Sequence, residues 1–157
     1  MDLEEQVKTL IEDAPDDENT IAYVSLIAPA LKHLAEQLRH SQYYIVQTLD
    51  QDWVITTLSN NTQPEVEKTV VYAFPSLQDT SQSPYPMQDP NLIALPIPTI
   101  HILFQMLAMD VVDSTIFFET PGNLTTGTEI QRSDIQALVE STFLNQRSPN
   151  SIPPNIA

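Results

Sequence analysis

Apolar positions at helical spacing are densest over residues 98–112, PTIHILFQMLAMDVV. At about 100° per residue, Ile100, Leu103, Phe104, Leu107 and Val111 share one face. Ile102, Met106 and Met109 lie on roughly the opposite one. His101 and Gln105 form a narrow polar strip between them, with Asp110 on the other flank. A helix with two apolar faces is buried on both sides. One side faces the chain's own sheet. The other predicts a homodimer contact through Ile102, Met106 and Met109.

The remaining pattern predicts an order of elements around this helix. Asp2 and Glu5 resemble a capping box, and Leu3, Val7, Leu10 and Ile11 follow at helical spacing until Pro15. A second helix is expected over residues 19–39, with Asp16, Asp17 and Glu18 at its positive end and a kink or break at Pro29. Two β-rich runs, 42–49 and 53–58, flank Asp50-Gln51-Asp52 and read as a hairpin. After a turn at Asn60-Asn61, residues 66–74 alternate. Lys68, Val70, Tyr72 and Phe74 face one way, and Glu67, Thr69, Val71 and Ala73 the other. Together the three runs predict an antiparallel meander with one face toward a core. Residues 75–91 lose all periodicity and hold Pro75, Pro84, Pro86 and Pro90; a loop of this length is often functional. Residues 92–97 make a short strand or an extended approach to the central helix, which Pro98 opens. A strand over 115–119, a turn with Gly122 at positive φ and a partner strand over 124–130 follow. Ser133 and Gln136 form an S-x-x-Q capping box on a last amphipathic helix. The fold class is therefore α+β, an antiparallel sheet packed with helices in the order α-α-β-β-β-(loop)-α-β-β-α. It is a single domain over residues 1–146, with residues 1–14 an appended helix and 147–157 a disordered tail.

Charge narrows the function classes. The 157 residues hold 21 acids and 6 Lys or Arg, a formal net charge of −15. A phosphate-tracking surface needs clustered Lys and Arg, so nucleic acid is not the expected partner. An acidic field favours solubility and basic partners. No cysteine is present, and the two glycines, Gly122 and Gly127, allow no phosphate-binding loop. No run reaches the ~20 apolar residues of a membrane span, and the acidic N-terminal stretch is unlike a signal peptide. A cytoplasmic protein without membrane contact is expected.

Candidate chemistry is sparse. Glu36 and His40 lie at i,i+4 near His33, a spacing that metal sites use. Lys32 and Arg39 beside them mark an ordinary solvated face instead. No serine sits in a G-x-S-x-G elbow. Neither catalysis nor a cofactor or metal is expected. Aromatic surface is more informative: Tyr43, Tyr44, Trp53, Tyr72 and Phe74 are concentrated in the meander. Helices cover one face of such a sheet readily; some of these aromatics are expected to fill the core, and those on the other face would form a peptide groove, with the division between the two left open. Tyr85, between two prolines, is a further candidate recognition element, with a plain mobile loop as the alternative reading.

This order of elements, with small size, acidity and a doubly apolar middle helix, resembles the class I type III secretion chaperones and their relatives. The resemblance covers roughly residues 18–146 and rests on no signature motif. It implies a non-catalytic homodimer that binds an extended segment or flexible tail of a client protein without ATP. Its middle helix falls on residues 98–112. The Gln- and Thr-rich sequence is also similar to a cyanobacterial branch that assists carboxysome assembly, which implies the tail of a carboxysome shell protein as client. The expected client-binding residues are Leu3, Val7, Tyr44, Trp53, Tyr72, Phe74 and Tyr85. Two other readings stay open: an acidic decoy masking a basic nucleic-acid-binding protein, and a small-molecule-binding domain.

Overall fold

The structure, a computed structural model, describes residues 2–12, 18–59, 67–83, 85 and 87–151, with the side chains of 18 and 143–151 left aside. Pro15, Asp16, Asp17, the Asn60-Asn61 turn, Val66, Pro84, Pro86 and residues 152–157 lie outside that range. The chain runs α1 (Leu3–Glu12), α2 (Glu18–Ala35), β1 (Gln42–Thr48), β2 (Thr56–Ser59), β3 (Glu67–Phe74), α3 (Leu77–Thr80), β4 (Leu92–Pro98), α4 (Thr99–Ala108), β5 (Ser114–Phe118), β6 (Gly127–Gln131) and α5 (Arg132–Ser151).

It is an α+β fold around a six-stranded sheet of order β4-β1-β3-β5-β6, with β2 also paired to β3. The sheet is mixed, which corrects the antiparallel expectation. β3 and β5 run parallel because the chain crosses between them through α3, β4 and α4, and a parallel pair needs such a crossover. The predicted β1–β2 hairpin is also only partial. Gln47 bridges Trp53 around a turn with Gln51 at φ 72°. The chain then leaves β1, and β2 pairs with β3 from Thr56–Val70 to Ser59–Glu67. β1 holds the same edge of β3 further along, at Tyr44–Phe74 and Ile45–Ala73.

β4 is a full edge strand along β1, from Leu92–Thr48 to Pro98–Gln42. The Thr48 N–H donates to the Asp52 carbonyl and the Val54 N–H to the Val46 carbonyl, both at 2.9 Å. Val46 and Thr48 thus turn their backbones away from β4. Their partners Ala94 and Leu92 face outward in turn, as do Pro96 and Pro98 by the alternation of an antiparallel ladder.

Side chains alternate across the sheet. Tyr43, Ile45, Val71, Ala73 and Phe117 enter one core with α1, α2, α4 and α5. Tyr44, Val46, Tyr72, Phe74, Ile116 and Phe118 enter a second cluster on the opposite face. α2 passes through Pro29 as one helix. Both Pro29 and Ser25, whose carbonyl loses its intrahelical donor, are exposed, so the break in the ladder lies on the solvent side of the helix. α5 continues to Ser151, past the predicted helix end at residue 146.

α4 is held at both ends from a distance. Its N-cap, Pro98, offers no side-chain bond. Instead the Thr99 N–H donates to the Ser41 carbonyl at 2.9 Å, and the Ile100 N–H to Oε1 of Gln6 at 3.0 Å. Gln6 Nε2 donates to the Ser41 carbonyl at 2.6 Å. At the other end, the Arg132 guanidinium donates to the carbonyls of Met106 and Leu107, each at 2.9 Å, and to Asp110 at 2.8 Å. A cation there complements the negative end of the helix. α1 is thus part of the domain and not an appendage.

The expected subunit contact on α4 is corrected. Ile102 and Met106 are 0% exposed within one chain, because α4 contacts α1, α2 and α5 as well as β4. Met109 is half-buried against the same core. The second apolar face is covered by the chain's own helices.

Candidate functional site

The sheet face away from the helices carries a second aromatic cluster, in which Phe74 and Phe118 are buried and Tyr72 and Ile116 are partly exposed. β3 and β5 pair Tyr72 with Ile116 and Ala73 with Phe117 in parallel register. Tyr72 and Phe74 consequently lie beside Ile116 and Phe118 on this outer face. The Phe118 ring stacks on Tyr72 at 5.6 Å and on Phe74 at 5.5 Å, each tilted by 27°. Gly127 makes room for this arrangement opposite Phe118. A Cβ there would meet the Phe117 carbonyl at 2.9 Å, Ile116 Cγ2 at 3.1 Å and Phe118 Cδ1 at 3.3 Å. Only glycine lets both side chains lie across the neighbouring strand.

The described residues between 75 and 91 form a strap that covers part of this face. Ser76 caps α3, accepting from the Asp79 N–H at 3.2 Å. Asp79, 2% exposed, accepts from the Ser76 hydroxyl at 2.7 Å and from the Gly122 N–H at 2.8 Å. It clasps the strap to the β5–β6 turn, where Gly122 has φ +83°. Further along, the Tyr85 ring lies 6.1 Å from Tyr72. Its hydroxyl pairs with that of Thr56, and burial pushes its phenol pKa up. Met87 and Leu92 pack on the same cluster. Between strap and sheet lies a cavity of about 240 Å³, lined by Tyr72, Phe74, Gln82, Phe118 and Leu124.

A second cavity, of about 430 Å³, lies where α4 ends and α5 begins. Glu67, Lys68, Asp110, Asp113 and Arg132 line it. Lys68 pairs with Glu129, which holds the Glu129 carboxyl below its usual range, and Arg132 is committed to α4. Tyr43, His40 and Glu119 also meet. The Tyr43 hydroxyl donates to the Glu119 carboxylate, and His40 Nε2 lies 2.7 Å from the Glu119 carbonyl. Tyr43 is 0% exposed, and its bond to Glu119 clasps β1 to the end of β5. Among the described residues, no group of three or more His, Cys, Asp or Glu is placed to hold a metal.

The seven expected client-binding residues divide. Tyr44, Tyr72, Phe74 and Tyr85 come together on the outer face. Trp53 packs at the rim of the helical core, and Leu3 and Val7 dock α1 onto it. Sequence reasoning missed Ile116, Phe118, Gln82 and Leu124. Alternation within TIFFE already places Ile116 and Phe118 on one face, and that signal was sufficient for those two. Among the described residues, no helix is long and apolar enough to cross a membrane. Compared with known proteins, the chain matches no family model, no curated protein and no solved structure.

Proposed function

We propose that this chain is a non-catalytic acidic chaperone or adaptor that holds an extended segment or tail of a client protein against the outer face of its sheet. The observation that carries this reading is the ring cluster of Tyr72, Phe74 and Phe118 opposite the helices, with a cavity open beneath the strap. At about 240 Å³ the cavity is smaller than the ~300–1,000 Å³ typical of small-molecule sites. It suits a side chain better than a cofactor. The resemblance to class I type III secretion chaperones supports the same class of activity, and its cyanobacterial branch suggests a carboxysome shell protein's tail. A homodimer of that type would need a surface other than Ile102 and Met106.

The free edge of β4 is a poorer dock. Its outward positions include Pro96 and Pro98, which have no N–H, and the Leu92 N–H already donates to the Asp89 carbonyl at 3.1 Å. Strand addition draws on a row of donors and acceptors, and of the four outward positions only Ala94 keeps a free donor. A photo-crosslinker at exposed Gln82, with controls at Ile93 and Val111, tests the assignment in native extract. Capture from Gln82 alone, mapped by mass spectrometry to an extended segment of one protein, is the expected outcome. Equal capture from Val111 refutes the outer face as the site.

A further inference from the structure

We infer that the cavity beside Gln82 takes one apolar side chain from a client segment rich in lysine and arginine. The inference rests on the outer face being the client site, and it adds the chemistry of the partner. Three aromatic walls and Leu124 reward a single buried apolar anchor, as in helix-in-groove and extended-peptide recognition. Tyr72 and Gln82 carry the polar side-chain groups of the lining.

Charge selects what flanks the anchor. The chain carries 21 acids against 6 Lys or Arg. The strap contributes Asp79 and Asp89 and no Lys, Arg or His. Lys68 is the one Lys or Arg in the described strands, and Glu129 neutralises it. Nothing on this face offers an acidic or phosphorylated segment a free cation among the described residues, while a basic one meets a complementary field.

The test uses the full chain and fluorescence anisotropy with short synthetic peptides. One has a central leucine flanked by lysines, one has serine for the leucine, and one has glutamates for the lysines. The leucine–lysine peptide should bind. Replacing its leucine, or filling the cavity with Leu124→Trp, should weaken it about tenfold. The glutamate peptide should bind at least about tenfold more weakly, by a margin that shrinks with added salt. Gln82→Lys, at an exposed position, should weaken the lysine peptide and strengthen the glutamate one. Serine and leucine peptides of equal affinity overturn the cavity assignment. Equal affinity of the lysine and glutamate peptides overturns the charge assignment and leaves the outer-face reading standing. Failure of every peptide, with no cross-link from Gln82, removes that reading as well.

Discussion

Replacing Gln6 tests whether α4 is completed from outside its own sequence. Gln6→Met keeps the length and volume of the side chain and removes its hydrogen bonds to the Ile100 N–H and the Ser41 carbonyl. The Ile100 N–H then has no acceptor, and Ile100 is 0% exposed, so water does not substitute. An orphaned buried donor costs about 1–3 kcal/mol. The Ser41 carbonyl loses less, because it still accepts from Thr99 and Ser41 is exposed; about 0.5 kcal/mol is a fair share. The methionine recovers part of this through its apolar stem, which leaves a net loss of about 2 kcal/mol. For a domain of this size, each kcal/mol shifts Tm by about 2–4 °C, so the melting point should fall by about 4–8 °C. Thermal denaturation followed by circular dichroism measures it, with Lys8→Met on the exposed side of α1 as the control. Hydrogen exchange at the Ile100 amide should accelerate in Gln6→Met alone. A melting point within about 1 °C of the parent, with Ile100 still protected, refutes the reasoning.

Gly127→Ala should cost about 1–3 kcal/mol by overpacking, since its Cβ would press on the fixed Phe117 carbonyl at 2.9 Å; urea denaturation with an unchanged m-value checks it. Met106→Asp should abolish cooperative unfolding, because it puts a charge into a site with 0% exposure. Val111→Asp, at a position 64% exposed, should leave the melting curve unchanged, and a folded Met106→Asp monomer would contradict the packing of α4. Burial, then the bond and charge of Glu119, raise the Tyr43 pKa above its ordinary 10.0. The folded state therefore holds this proton more tightly than the unfolded chain does. The contribution is fully present below about pH 10 and is lost as pH rises beyond it. Tyr43→Phe should flatten that alkaline loss in pH-dependent melts. Tyrosinate absorbance from Tyr43 should appear only with unfolding.

Local pattern made much of the fold legible. Asp2 does cap the first helix, its Oδ1 accepting from the Glu5 N–H at 2.8 Å, and Gly122 does take positive φ. The alternation of Tyr72 and Phe74 against Val71 and Ala73 is the alternation observed. Pairing between distant strands was not legible. Nothing in LIALPIP says that it lies along β1, and nothing in TIFFE says that it runs parallel to β3. The double apolar stripe of α4 marks burial on both sides at Ile100, Leu103, Ile102 and Met106, but the helix ends at Ala108, short of the expected residue 112, and Val111 is 64% exposed. The second cover of α4 was misassigned because one stripe looks the same whether a neighbouring helix or another subunit packs on it. The strap misled in the opposite way. Its short helix depends on Ser76 and Asp79 exchanging bonds with each other and on Asp79 accepting from the Gly122 N–H, and these contacts carry no periodic signal. Ser133 likewise sits inside the first turn of α5, its hydroxyl 3.3 Å from the Gln131 side chain, and the S-x-x-Q spacing marked the region of the helix start without its cap.

The hold of Arg132 on α4 also sets an order of events during synthesis. The ribosome makes α4 well before it makes Arg132, so the Met106 and Leu107 carbonyls wait without their partner while β5 and β6 are translated. Domains generally fold as units. Here the final turn of the central helix closes only when the start of the last helix arrives. A nascent chain stalled before Arg132 should therefore remain sensitive to protease within residues 106–110, and release of the rest of the chain should protect it.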